Sequence, residues 1–274
     1  MNDRPDAGVA RKINREIVVL IGWGRAILLQ LAHPLVAAAI GDNSTFHSGV
    51  GGYARRAHQT IGAMLDLTFG TPEDAQRIVN RINGIHDRVN GTLGPATGKF
   101  SGGTPYSARD AKLLIWVHAT LVESLVLTYE LLVAPLTDDE KNRYAAESAW
   151  LTRELGAPPD AIPVDYAAVV AFMREARARH EIAVGDTAKR MATALLEPPL
   201  ILAAPVFAVS RLLTIGMLPE ELRREYGFAW SERRARRFRR TAALIRGTRR
   251  VLPRVLREWP AARRTDLPRT PVTD

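Results

Sequence analysis

A chain of 274 residues with 46% hydrophobic and 24% charged content is long enough to bury a substantial core, and disorder is not its default state. It has no cysteine, which excludes disulfides, thiolate zinc sites, iron–sulfur clusters, cysteine nucleophiles and thiolate-ligated haem; any metal must be held by His, carboxylate or Tyr. The net charge of +9 is uneven: from Leu222 to Arg264 there are fifteen Arg against three acids, a segment charge of +12 that leaves −3 for the rest.

Residues 1–12 are polar at the start and are expected to be frayed. Ile17 to Ile40 is apolar enough to be weighed as a membrane span, but Arg25, Gln30, His33 and Pro34 are costly at bilayer depth. The first helix is therefore read as a buried one over about Ile13–Ile40, bent or broken at Pro34. A second helix is expected over Tyr53–Phe69, stopped by Gly70. Thr71-Pro72-Glu73-Asp74 has the form of an N-cap, a first-turn proline and two acids facing the helix dipole. The helix that follows carries Ile78, Ile82, Ile85 and Val89 at one-face spacing and is expected to end at Gly91.

Thr92 to Tyr106 reads as a loop, and Ser107-Ala108-Arg109-Asp110 as a capping-box start for a long fourth helix. On that helix Leu114, His118, Leu121, Leu125 and Leu132 form one stripe. Thr137-Asp138-Asp139-Glu140 caps a fifth helix, and further helices are expected over Asp165–Arg179 and Asp186–Leu196. Apolar and then basic helices finish the chain. No sustained period-two pattern occurs, so the class is all-α: a multi-helix single domain over 13–260, with 261–274 as a flexible tail.

Hydrolase elbows, P-loops, HExxH and dinucleotide fingerprints are absent, and no Glu-x-x-His pair of the di-iron bundles occurs. Three of the six histidines, His33, His86 and His118, lie in strongly apolar helices. Each alone is most simply a core histidine with satisfied ring nitrogens. Three together point to a metal or haem pocket, because neutral imidazole is a good iron ligand. Arg56 and Thr60 are four apart and share a helix face that continues to Met64 and Leu67. They read either as an exposed Arg with a back-bonded Thr or as a polar pair facing a pocket.

Several stretches occur in a telling order: Gly24-Arg25-Ala26 through Leu31-Ala32-His33-Pro34, Arg56-Ala57-His58-Gln59-Thr60, Phe69-Gly70-Thr71, His86-Asp87-Arg88-Val89-Asn90-Gly91, Tyr106-Ser107-Ala108 and Trp116-Val117-His118-Ala119-Thr120. The ordered set, from about Ile17 to Arg257, resembles the bacterial family related to the latex-clearing (rubber) oxygenases and the fungal mycophenolic-acid-pathway oxygenase. The resemblance implies a globin-like all-α core holding one haem b. It implies His86 as the proximal iron ligand, with His118 as runner-up, and Arg56 and Thr60 as the distal pair. His118, Thr120 and His33 would line the cofactor pocket. Two departures stand out. Gln59 replaces the lysine that precedes the distal threonine in the latex-clearing enzyme, and Asp42 is the only, weak, candidate for that enzyme's carboxylate base.

The reading that results is a haem-dependent oxygenase using dioxygen on a hydrophobic, isoprenoid-like or lipid-like substrate. The alternatives are a haem-binding protein without oxygenase chemistry and a membrane-surface helical protein that binds no cofactor. The Arg-rich C-terminal region suits anionic headgroups. No reading motif accompanies it, so nucleic acid is not expected as a partner. The expected location is cytoplasmic, with association at a membrane surface as the variant.

Overall fold

Asp110 starts the helix around which the others are arranged. In the computed structural model, which describes residues 8–43, 49–197 and 204–265, the Asp110 carboxylate accepts the backbone N–H groups of Lys112 (2.8 Å) and Leu113 (3.4 Å) at the start of α6, Ala111–Leu132. The sequence reading placed this cap at Ser107. That residue instead closes a strand, and its hydroxyl accepts the Arg109 N–H at 3.1 Å. α6 is long and apolar enough to span a bilayer by length alone. However, 67% of its most apolar window is buried by other helices, as in an interior helix.

The expected helix over Ile13–Ile40 is broken. α2 runs Leu20–Leu31 and α3 Pro34–Asn43, with the chain turned by 104° between them. Pro34 has no N–H to continue α2, and its ring would clash with the preceding turn. The His33 N–H closes a tight turn onto the Gln30 carbonyl (3.0 Å) instead. α2 packs on α6 more extensively than any other pair of elements. Gly22 makes this approach close: a Cβ there would lie 2.5 Å from the Thr128 hydroxyl and 3.0 Å from the Ser124 carbonyl. Arg25 then closes the contact. It is buried, and it pairs with Glu123 and donates to the Ser124 hydroxyl (2.7 Å) and to the Met217 carbonyl (2.8 Å).

α4 (Gly49–Phe69) leads to α5 (Pro72–His86), whose capping box pairs Thr71 with Asp74 as the sequence suggests. The buried stripe of α5 is Ala75, Val79, Ile82 and the half-buried His86. It is not the Ile78–Ile82–Ile85–Val89 stripe expected; Ile85 is exposed and the helix ends at His86, short of Gly91. Gly91 belongs to a hairpin of β1 (Asn90–Thr92) and β2 (Pro105–Ser107) in a stretch that reads as loop. It pairs with Tyr106 and must be glycine, since a Cβ would meet the tyrosine hydroxyl at 2.5 Å.

α7 (Asp138–Glu154) has the Thr137–Glu140 capping box. α8 (Tyr166–Ala178) and α7 pack against α6, and α9 (Asp186–Leu196) against α2 and α3. α10 (Ala204–Gly216), α11 (Glu220–Glu225), α12 (Glu232–Arg249), α13 (Arg254–Arg257) and α14 (Pro260–Thr265) complete the described chain. The class is all-α with one small hairpin.

Part of each segment read as a loose end is helical among the described residues. Gly8–Asn14 forms α1, with Val9, Ala10 and Ile13 buried and the Glu147 carboxylate accepting the N–H groups of Val9 and Ala10. α14 buries Ala262 and packs on α4. Two buried acids, Glu16 and Glu258, join the two ends of the domain as an isolated β-bridge; Arg249 and Arg257 pair with Glu16, and Arg254, Arg257 and Arg15 with Glu258.

Arg25→Ala should strand Glu123 in a nearly dry interface and lower unfolding stability by about 3–5 kcal/mol. Urea denaturation measures the loss; a change below about 1 kcal/mol would show that the pair does not hold α2 on α6.

Candidate functional site

The stripe Leu114–His118–Leu121–Leu125 recurs every three to four residues, so all four side chains leave α6 on one side. They form one wall of a cavity of about 130 Å³. Ala10 and Asn14 of α1, Met64, Leu67 and Thr68 of α4, and Tyr144, Glu147, Ser148, Leu151 and Thr152 of α7 close the rest. The walls are mainly apolar. Glu147 is already engaged with two backbone N–H groups of α1, and Tyr144 donates to Asn14 (3.5 Å), its hydroxyl pKa raised by burial. Ligand pockets usually run to about 300–1,000 Å³. This cavity therefore accepts part of a ligand and is too small for a porphyrin.

His118 is the histidine that faces this space. Its Nε2 lies 3.3 Å from the Pro163 carbonyl. A carbonyl only accepts, so Nε2 carries the proton. Burial lowers the ring's pKa to about 4, which keeps it neutral.

His86 sits one turn after Ile82, on the inward face of α5. Its Nδ1 is buried and has no hydrogen-bond partner. Burial first and the Arg109 charge second lower its pKa, so this ring too is neutral. Arg109 is held in place by Asp87 (2.6 Å), by the Asn83 side chain (2.6 Å) and by the Leu155 carbonyl (3.1 Å). Leu155 also lines the α6 cavity, so one residue connects the His86 corner to the His118 wall.

The other expected pocket residues lie elsewhere. His33 is buried at the α2–α3 break, 5.3 Å from the Phe100 ring and 6.2 Å from Trp116. Its pKa is lowered to about 4 by burial, and its Nδ1 is without a partner. Thr120, two residues beyond His118, points to the opposite side of α6, where its hydroxyl donates to the Val117 carbonyl (2.9 Å) and accepts from Gln30 (3.3 Å). The helix thus separates His118 from Thr120 and Trp116.

On α4, the face that begins with Thr60 continues to Met64 and Leu67 in the cavity wall. Thr60 itself is exposed, one turn outside. The Arg56 side chain lies outside the described residues. Asp42 accepts the Tyr106 hydroxyl (2.7 Å), whose pKa is raised to about 12 by burial and by that carboxylate, so Asp42 is held in a structural bond. Among the described residues no three His, Asp or Glu side chains converge on a metal position.

Sequence reasoning overlooked Tyr144, Glu147, Ser148 and Asn14. Tyr144, Glu147, Ser148, Leu151 and Thr152 do follow helical spacing, but their polar members disguised an inward face.

Three comparisons bear on this arrangement. The family model described as ER-bound oxygenase mpaB/B'/Rubber oxygenase, catalytic domain, matches residues 10–247. An uncharacterised protein of Mycobacterium tuberculosis is 26% identical over 237 residues, covering 85% of this chain and 89% of the relative, and a protein of Mycobacterium bovis matches with the same figures. No solved structure matches the chain.

Histidines 33 and 118 titrate near 4 when folded, against about 6.5 when unfolded. Their lowered values leave stability intact above about pH 6.5, and it drains as pH falls through 4, because the unfolded chain takes up protons that the fold refuses. His118→Gln should flatten part of this slope. Urea midpoints at neutral and mildly acidic pH test it, and an equal fall in both proteins would contradict it.

Proposed function

Because this chain belongs to the mpaB and rubber oxygenase catalytic-domain family, we propose that it is a b-type haem-dependent oxygenase acting with dioxygen on an apolar, unsaturated small molecule of isoprenoid or lipid character, with His86 as the iron ligand. The observation that carries the assignment is the Nδ1 of His86. It is a buried imidazole nitrogen with no partner, on a ring kept neutral by burial and by Arg109. Such an unsatisfied group is costly, and a ligand at the ring offsets the cost.

The α6 cavity is too small to hold the porphyrin, so the haem reading rests on the single imidazole of His86 and not on a pocket for the macrocycle. A porphyrin supplies the other iron ligands, so one imidazole suffices and no multi-residue metal cluster is needed. When bound, haem supplies the iron chemistry that activates dioxygen. The protein's own groups do the rest. Arg109, fixed by Asp87, Asn83 and Leu155, keeps His86 in its neutral, lone-pair-bearing form and ties the end of α5 to the loop after α7. His118 is the weaker candidate, since its Nε2 is already committed to Pro163. Arg56 and Thr60 are the pair that the family resemblance would assign to hydrogen bonding of bound oxygen; Thr60 lies on the α4 face that continues into the cavity wall, one turn outside it. The apolar stripe of α6 takes an apolar portion of the substrate and excludes water from it.

Haem b added to the purified protein should give a Soret band. His86→Ala should weaken haem binding by more than the 10–100-fold typical of second-shell changes around a metal, and His118→Ala should leave the band largely intact. The reverse pattern would transfer the ligand role to His118. A full band in both variants would remove both from it. Haem retention without oxygen uptake on unsaturated isoprenoids or fatty acids would reduce the protein to a haem binder.

A further inference from the structure

The C-terminal helices leave apolar side chains in solvent close to α12 arginines that have no ion pair among the described residues, while Arg254 within the same run is paired with Glu258. From Arg250 to Leu256 seven consecutive residues are exposed, among them Val251 (83% exposed), Val255 (55%) and Leu256 (63%). Scattered single exposed aliphatics are ordinary, but a continuous run at the end of a helix is not. The start of α10 adds to it. Gly216 at the end of α10 lies against Phe238 near the start of α12, and Leu213 clusters with Ala242 one turn on, so the two helices run antiparallel. Ten residues back along α10 from Gly216, about 15 Å at the helical rise, Val206 (70% exposed) comes level with the end of α12. The aliphatic groups therefore gather at one end of the helix pair.

The adjoining face of α12 is cationic. Arg237, Arg240 and Leu244 follow at spacings of three and four and share one exposed face with Arg236. None of these arginines has an ion pair among the described residues. Arg249, Arg254 and Arg257, by contrast, are paired with Glu16 and Glu258.

We propose that this end of the molecule, the exposed face of α12 with the Arg250–Leu256 turn and the start of α10, docks on an anionic lipid bilayer. The aliphatic turn enters the boundary between headgroups and acyl chains, and the arginines meet the lipid phosphates. Charge selects this occupant. A second copy of the chain would set arginine against arginine. Single-stranded nucleic acid is held by stacking on aromatic rings, whereas this turn offers only aliphatic groups. Docking does not depend on the haem assignment.

Co-sedimentation with vesicles tests it. The full chain should bind vesicles of mixed phosphatidylcholine and phosphatidylglycerol, bind those of phosphatidylcholine alone far more weakly, and be released by salt. Replacing Arg236, Arg237 and Arg240 together by Gln should weaken binding about a hundredfold. Val255→Glu with Leu256→Glu should abolish it even at low salt. All five side chains are exposed, so unchanged circular dichroism and melting are expected and show that the fold is kept. Equal binding to neutral and anionic vesicles would overturn the proposal, as would full binding by the Glu variant. So would a wild-type protein that ignores both vesicles but turns from dimer to monomer in the Glu variant, which would assign the patch to self-association.

Discussion

Everything in this fold depends on how closely α2 can lie on α6. Gly22 permits the approach by leaving no Cβ against Thr128 and the Ser124 carbonyl, and Arg25 makes it specific by satisfying Glu123, Ser124 and Met217 at once. A buried guanidinium costs desolvation energy, so it adds little net stability over an apolar pair of the same shape. Its contribution is geometric. The five donors of Arg have one arrangement that satisfies three partners from α6 and the turn after α10. That arrangement fixes the register of α2, and with it the place where Pro34 turns the chain into α3.

Once α2 covers one side of α6, the other side is left for α1, α4 and α7, and the two sides acquire different chemistry. The α2 side is filled by Trp116, Thr120 and the nearby His33, with Thr120 hydrogen-bonded to Val117 and Gln30. The α7 side keeps a cavity, lined by side chains from α1, α4, α6 and α7. The division explains why buried histidines with similarly lowered pKa values differ in prospect. His118 is bonded to a carbonyl; His33 and His86 each have a buried Nδ1 with no partner, but His33 is packed among aromatic rings whereas His86 stands at a helix end beside a fixed Arg109.

The legible parts of the sequence were those governed by local rules. The Thr71 and Thr137 N-caps, the proline break and the Leu114–His118–Leu121–Leu125 part of the α6 stripe each depend on residues within one or two turns and appear as read; Leu132, read into the same stripe, packs instead with Leu213 and Ala242. The errors arose where tertiary contacts decide. On α5 the isoleucines suggested a stripe about a third of a turn away from the true one, because Ala75 and Val79, small and inconspicuous, are what fit against Trp150. The hairpin at Gly91 rests on a cross-strand fit between a glycine and Tyr106 that no period reveals. His118 and Thr120, which the family resemblance put in one pocket, leave α6 on opposite sides, since residues two apart on a helix point apart.

The basic C-terminal segment shows the same limit in electrostatic form. A segment charge of +12 read from sequence treats every arginine alike. In the fold, the two acids at Glu16 and Glu258 are buried side by side, an arrangement that two carboxylates cannot hold without cations. Arg249 and Arg257 on Glu16, with Arg254 and Arg257 on Glu258, meet that need and so become part of the bond between the first and last helices. Because Glu16 lies more than two hundred residues before its partners, their role is invisible in a window of local charge. The arginines on the outer face of α12 have no such acid within reach, so the surface potential is set by them, and it is concentrated beside the aliphatic turn rather than spread over the segment.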